Sequence, residues 1–153
     1  MRWLDIELPE QHFKFCLLHI PCSVSRLKDG LRGEAKARFW NAVLCAAKAQ
    51  LNDPVLFIGD FNTGAHWKDE KKKTFVCAEH FGSLSDLGWE DLWRHYNGDV
   101  KEYTWYSAAG NGFRLDHAFA TTNLQPRIKA CRYSHEEREA GMPDHSVLIV
   151  EVD

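Results

Sequence analysis

The sequence predicts an α/β or layered α+β fold, and three observations carry that expectation. Val55-Leu56-Phe57-Ile58 is an unbroken apolar run after the turn signal Asp53-Pro54, the pattern of a strand buried on both faces. From Gly33 to Leu51 the spacing is helical, with Ala37, Trp40, Leu44, Ala47 and Leu51 on one stripe. Phe13 to Ile20 is an apolar strand ahead of that helix, so strand, helix and strand follow in order. At 153 residues the chain makes one domain, 1–153, and 44% hydrophobic residues are enough for its core.

The elements follow in order. Trp3 to Leu8 alternates and reads as a strand; Pro9-Glu10-Gln11 is a turn, and Phe13 to Ile20 completes a hairpin. Pro21 to Arg32 is a loop with three basic residues. After the helix and the buried strand, His66 to Lys73 has the composition of a solvated loop, with a phosphate-facing rim as the functional alternative. Phe75 to Leu84 reads as a short helix. Leu87 to Arg94 reads as a turn and a further helix, with Trp89, Leu92 and Trp93 as core.

Tyr103 to Ser107 is an aromatic strand, and Ala108 to Gly112 is a loop with hairpin chemistry. Phe113 to Ala120 is the return strand. Its alternation puts Phe113, Leu115, His117 and Phe119 on one face and Arg114, Asp116, Ala118 and Ala120 on the other. A mid-strand Asp116 among small residues needs a partner, because a lone buried carboxylate is costly. Thr121 to Pro126 is a turn and Arg127 to Ser134 a strand. His135 to Glu139 is charged and exposed, Gly141 to Ser146 a loop, and Val147 to Val152 a final core strand.

A net charge of -3 gives no global basic field, so any phosphate binding is local. Five cysteines without close spacing read as thiols in a reducing compartment. No charged-then-apolar leader opens the sequence, and no apolar run approaches the length of a membrane span. The expectation is a soluble, cytoplasmic protein with no membrane partner.

The chemistry gathers at strand ends. Gly59 ends the apolar run and lets the backbone turn. Asp60 and Asn62 stand two residues apart, which in an extended segment puts both side chains on one side. A carboxylate and a carboxamide there can hold a water, a phosphate oxygen or a hard cation; the plain alternative is a pair of turn residues. His19 closes the second strand at the same edge. Asp144-His145 stands just before a core strand. A His oriented by a carboxylate stays protonated near neutral pH and stabilises charge on a phosphate, and a second carboxylate can hold a divalent cation.

Gly59-Asp60-Phe61-Asn62, Arg114-Leu115-Asp116 and Asp144-His145 before an apolar strand together resemble the endonuclease/exonuclease/phosphatase superfamily, its exonuclease III-like branch in particular. Gly88-Trp89-Glu90-Asp91 with Arg94, and Tyr103-Thr104-Trp105, fit the same branch. The resemblance runs from about Phe13 to Val152. It implies the DNase I-like four-layered α/β sandwich, with a mixed, mostly antiparallel sheet and helices on one face. It also implies hydrolysis of phosphoester bonds with Mg²⁺ or Mn²⁺. Asp60 would position or deprotonate the attacking water and Asn62 would orient it. Asp116 would fix His145, which would contact the scissile phosphate. His19 would stand near that phosphate. Asp144, with Asp60 and Asn62, would serve the metal, and Asn111, Phe113 and Trp105 would contact a phosphodiester substrate, nucleic acid among the candidates.

The family's amino-terminal half carries an Asn on its first strand and a Glu that is the main metal ligand, and neither motif is here. Pro143 also replaces the Ser common before Asp-His. The resemblance therefore implies a half or truncated form of the sandwich, with one of two sheets largely missing and Mg²⁺ held weakly. Two classes of function follow: a nuclease-type, metal-dependent phosphoesterase, or a catalytically impaired half-domain that self-associates or binds a partner. An uncovered sheet implies either a homodimer, with an apolar interface above roughly 1,000 Å², or a missing amino-terminal half.

Overall fold

The computed structural model describes residues 2–22 and 34–153. Most of the loop expected from Pro21 to Arg32 lies outside the described residues. Strands β1 (Trp3–Leu8) and β2 (Phe13–His19) form the expected hairpin. Helix α1 (Glu34–Ala49) follows, with Glu34 in its first turn and Lys48 in its last, charges that suit the helix dipole. Strand β3 (Val55–Asp60) then pairs parallel with β2.

Helix α2 (Ala78–Asp86), the short strand β4 (Glu90–Asp91) and helix α3 (Leu92–Asn97) come next. Strands β5 (Trp105–Tyr106) and β6 (Gly112–Phe113) make a small separate hairpin. Strand β7 (Asp116–Ala120) pairs antiparallel with β3. Strand β8 (Ile128–Ser134), the single-turn helix α4 (Glu136–Glu139) and strand β9 (Val147–Val152) complete the chain.

The main sheet has the order β1-β2-β3-β7-β4, and β8 and β9 form a second, two-stranded sheet. Trp40, Val43 and Ala47 of α1 and Phe81 and Leu84 of α2 cover one face, packing on Cys16, Phe57, Phe61, Phe119 and Trp89. Leu92 and Trp93 of α3, with Ile128, Cys131 and Tyr133 of β8, pack on the other, against Leu56, Ala118 and Ala120. Each fully buried large side chain contributes roughly 1.5–3 kcal/mol. Trp89, Leu92 and Trp93 are core residues, as expected. Phe13, Phe15, Leu17, Ile58, Leu148 and Val150 line an open apolar trough on this second face, and Leu17 is exposed there.

Four expectations are corrected. The run Phe113 to Ala120 is not one strand. Its first residue belongs to β6 and its last five to β7, with a crossing between sheets at Arg114-Leu115. The cause is Arg114, whose side chain is buried and bound to Asp69 and Asp91. Asp116 is therefore the first residue of its strand, not a mid-strand carboxylate.

The second correction concerns His66 to Lys73. Asp69 and Glu70 are each 1% exposed. Asp69 receives Arg114 at 2.7 Å, Arg94 and the Ala65 amide. Burial works against its charge, but Arg114 outweighs that and brings the Asp69 carboxyl down to about 2. Glu70 accepts from Thr74 and the Phe75 amide and pairs with His66. Only the lysines of this run behave as a solvated rim. Third, His135 is not simply exposed: its ring bridges Ser146 and Glu102, at 2.7 and 2.8 Å.

Gly59 does not end β3. It carries a φ of +141° within the strand, and a Cβ there would stand 2.1 Å from the Leu18 carbonyl oxygen. Only glycine lets β2 and β3 run side by side to their ends.

Candidate functional site

The site begins as a row of strand ends. His19, Asp60 and Asp116 are register partners across β2, β3 and β7. Two carboxylates directly opposed on neighbouring strands repel each other. Burial, and then the charge of Asp116, push the Asp60 carboxyl above its usual range; the Asn62 amide and the charges of His145 and His19 oppose the shift. The Nε2 atom of His19 lies 3.7 Å from Asp60 Oδ2.

Asn62 meets Asp60 by a different geometry from the extended one expected. Its φ is +50°, the left-handed region, so the chain folds back on itself. In that conformation the Asn62 backbone N–H donates to Asp60 Oδ1 at 2.8 Å and the carboxamide donates to Asp60 Oδ2 at 2.6 Å. The carboxamide also donates to the Ile20 carbonyl at 3.0 Å. Both Asp60 oxygens are thereby fixed, and so is the ring-side edge they present to the cleft.

His145 arrives from the loop before β9. Its Nδ1–H donates to Asp116 Oδ2 at 2.8 Å. Burial disfavours the imidazolium, but the hydrogen bond and charge of Asp116, with the charges of Asp60 and Asp144, outweigh it and hold His145 above the usual histidine range. One buried residue organises this meeting. The hydroxyl of Thr104 accepts from the Leu115 and Asp116 amides, and its carbonyl accepts from the Ser146 amide. The Tyr133 hydroxyl donates to the Asp116 carbonyl at 2.6 Å. Tyr133 and His135 were not singled out from the sequence, and Thr104 only as part of the Tyr103-Thr104-Trp105 motif, without a role. Their type carried no signal, because each acts through backbone atoms or neighbours brought in from far along the chain.

Asp60, Asp116 and His145 thus come together, with their ligand-type atoms within 4.8 Å of one another. The two carboxylates are oxygen donors that fit a small, hard divalent cation, while the His145 imidazolium, which donates its Nδ1–H to Asp116, stands beside them as a positive charge. The cluster opens on a cleft of about 480 Å³ lined by His19, Asp60, Asn62 and His145 together with Phe75, Trp105, Phe113 and Leu115. Polar atoms and aromatic faces in one cleft suit an anionic group carrying a flat or apolar substituent.

The remaining expected site residues lie around this centre. Asp144 is exposed, outside the three-residue cluster, and its carboxylate accepts from Trp105 Nε1 at 3.1 Å. Asn111 is exposed at the β5–β6 turn. It lines a smaller neighbouring cleft with Lys71, Lys72, Thr74 and Phe113. Thr74 and Phe113 border both clefts.

No family model matches the chain. An exodeoxyribonuclease of Streptococcus pneumoniae, matched in two strains, is 26% identical over 144 residues, covering 82% of this chain and 51% of the relative. The chain therefore spans about half the length of the curated relatives it matches. Among solved structures, the 3′ phosphatase NExo from Neisseria, bound to a product DNA hairpin, superposes with a TM-score of 0.83 at 20% identity, covering 99% of this chain and 65% of that one. An AP endonuclease from Archaeoglobus fulgidus superposes with a TM-score of 0.79 at 21% identity, over 99% of this chain and 65% of that one. The chain thus shares the fold of these two enzymes, as the three motifs implied.

Proposed function

We propose that this chain carries the carboxylate–imidazole centre of a metal-dependent phosphoesterase that hydrolyses phosphodiester bonds in the manner of a nuclease. The observation that supports this best is the convergence of Asp60, Asp116 and His145 beside an aromatic-walled cleft. Asp60, with its carboxyl raised, takes the proton of the attacking water as the new phosphorus–oxygen bond forms. Asn62 orients Asp60 and that water. His145, kept cationic by Asp116, stabilises charge on the non-bridging oxygens as the bond to the leaving oxygen breaks. Mg²⁺ or Mn²⁺, held by Asp60 and Asp116 with Asp144 near by, would supply further charge neutralisation.

Trp105 and Phe113 form the wall for a base or sugar, and Lys71 and Lys72 with Asn111 continue it as a basic rim. Nucleic acid is the first substrate to test, since a structural neighbour was solved with a DNA hairpin. Among the described residues no helix is long and apolar enough to cross a membrane. The test is divalent-dependent cleavage of bis(p-nitrophenyl) phosphate, with Asp60→Ala beside the wild type. Equal rates for the two proteins would overturn the reading.

A second reading, a self-associating half-domain, is favoured by the apolar trough between Phe13, Phe15 and Leu17 and the β9 residues Leu148 and Val150. Light scattering at micromolar concentration tests it. A dimer that Leu17→Lys dissociates would support it, and a monomer would exclude it.

A further inference from the structure

We propose that Lys36, together with His117, positions the Asp60–Asn62 pair from beneath. The inference deepens the phosphoesterase reading, on which its kinetic arm alone rests.

Lys36 sits in the first turn of α1 and is 2% exposed. A buried ammonium is costly unless it is paired and hydrogen-bonded. Among the described residues it makes no ion pair; its Nζ donates to the Asn62 carbonyl at 2.6 Å. A methionine would fill the same volume with less desolvation, so packing does not account for a lysine here.

The next carbonyl is held in the same way. His117 of β7 is fully buried, packed against Phe61, Phe81 and Phe119. Its Nε2–H donates to the Thr63 carbonyl at 2.8 Å. Two consecutive carbonyls, 62 and 63, thus each receive a buried side-chain donor, one from a helix and one from the sheet.

That clamp matters because Asn62 occupies the left-handed region, which few residues with a Cβ adopt, Asn among them. Only in that conformation do its backbone N–H and carboxamide both reach Asp60. The order of action is Lys36 to the Asn62 carbonyl, Asn62 to the Asp60 carboxylate, and Asp60 to the reacting water. Lys36 does not line the cleft, so it acts through Asn62 rather than on substrate.

The experiment compares wild type with Lys36→Met and Lys36→Arg. The first readout needs no substrate. In ¹⁵N-labelled wild type the Asn62 side-chain amide protons are shifted and protected from exchange. In Lys36→Met they move to free-amide positions and exchange at least about 10-fold faster, and Lys36→Arg restores protection. The second readout is kinetic: Lys36→Met lowers kcat about 10–100-fold with KM little changed, the size usual for a supporting shell. The Lys36→Met/Asn62→Ala double variant loses no more than Asn62→Ala alone, since both lie on one line of action. A folded Lys36→Met with wild-type Asn62 amide signals overturns the proposal. If Lys36→Met does not fold, His117→Phe, which keeps ring packing and removes the donor, carries the same amide readout. Unchanged signals there overturn it equally. An inactive wild type whose amide signals still respond would count against the phosphoesterase reading alone.

Discussion

Asp60 and Asp116 are register partners at the ends of β3 and β7, so two carboxylates face each other where the main sheet stops. A sheet selected for stability alone would not put like charges there. The strain is relieved by His145 on one side and by the Asn62 donors on the other.

Asp60→Asn should abolish cleavage while changing stability by less than roughly 1 kcal/mol, because the relief of two opposed charges is offset by an amide NH2 turned towards one of the Asn62 donors. Thermal denaturation and cleavage assays on the same preparation check both halves. A variant less stable by more than that would mean that the Asn62 donors outweigh the repulsion.

Gly59→Ala should destabilise by more than about 2 kcal/mol, since the new Cβ meets the Leu18 carbonyl oxygen and the residue keeps a φ of +141°. Chemical denaturation measures this. A loss under about 0.5 kcal/mol would show that β2 and β3 can separate at their ends.

Asp69 sets an acid limit to stability. Its folded-state carboxyl lies at about 2, below the unfolded value of 3.8. Its contribution is present above the unfolded value and is lost as the pH falls from 3.8 towards 2. The size is about 2 kcal/mol. Asp69→Asn should lower stability at neutral pH, because Arg114 keeps its burial and loses a partner. It should also flatten the pH dependence below 4. Parallel acid-unfolding curves for the two proteins would contradict this.

Phe113→Ala should raise KM for a nucleotide-bearing phosphodiester several-fold more than for a small phosphoester, because the ring lines the cleft and a small phosphoester has no base or sugar for it to meet. Equal effects on both substrates would remove the wall from recognition.

The row of candidate site residues was legible because its members interrupt strong patterns. Asp60 follows four apolar residues, and Asp144-His145 precedes an apolar strand. The supporting residues interrupt nothing. Lys36 looks like any solvated helix lysine, and Asp69 and Glu70 stand among lysines. The burial of Lys36 and Asp69 is set by partners far away: Asn62 is 26 residues from Lys36, and Arg114 is 45 from Asp69. The left-handed Asn62 was also hidden, since sequence spacing cannot say that two outside donors hold its carbonyl and the next.

The most direct measurement is the rate at which a 5′-labelled oligonucleotide is cleaved in Mn²⁺ by wild type, Asp60→Asn, His145→Asn and the double variant. If Asp60, Asp116 and His145 act as one centre, each single variant loses at least about 100-fold, and the double loses little beyond the worse single. A wild-type rate matched by Asp60→Asn would contradict the account.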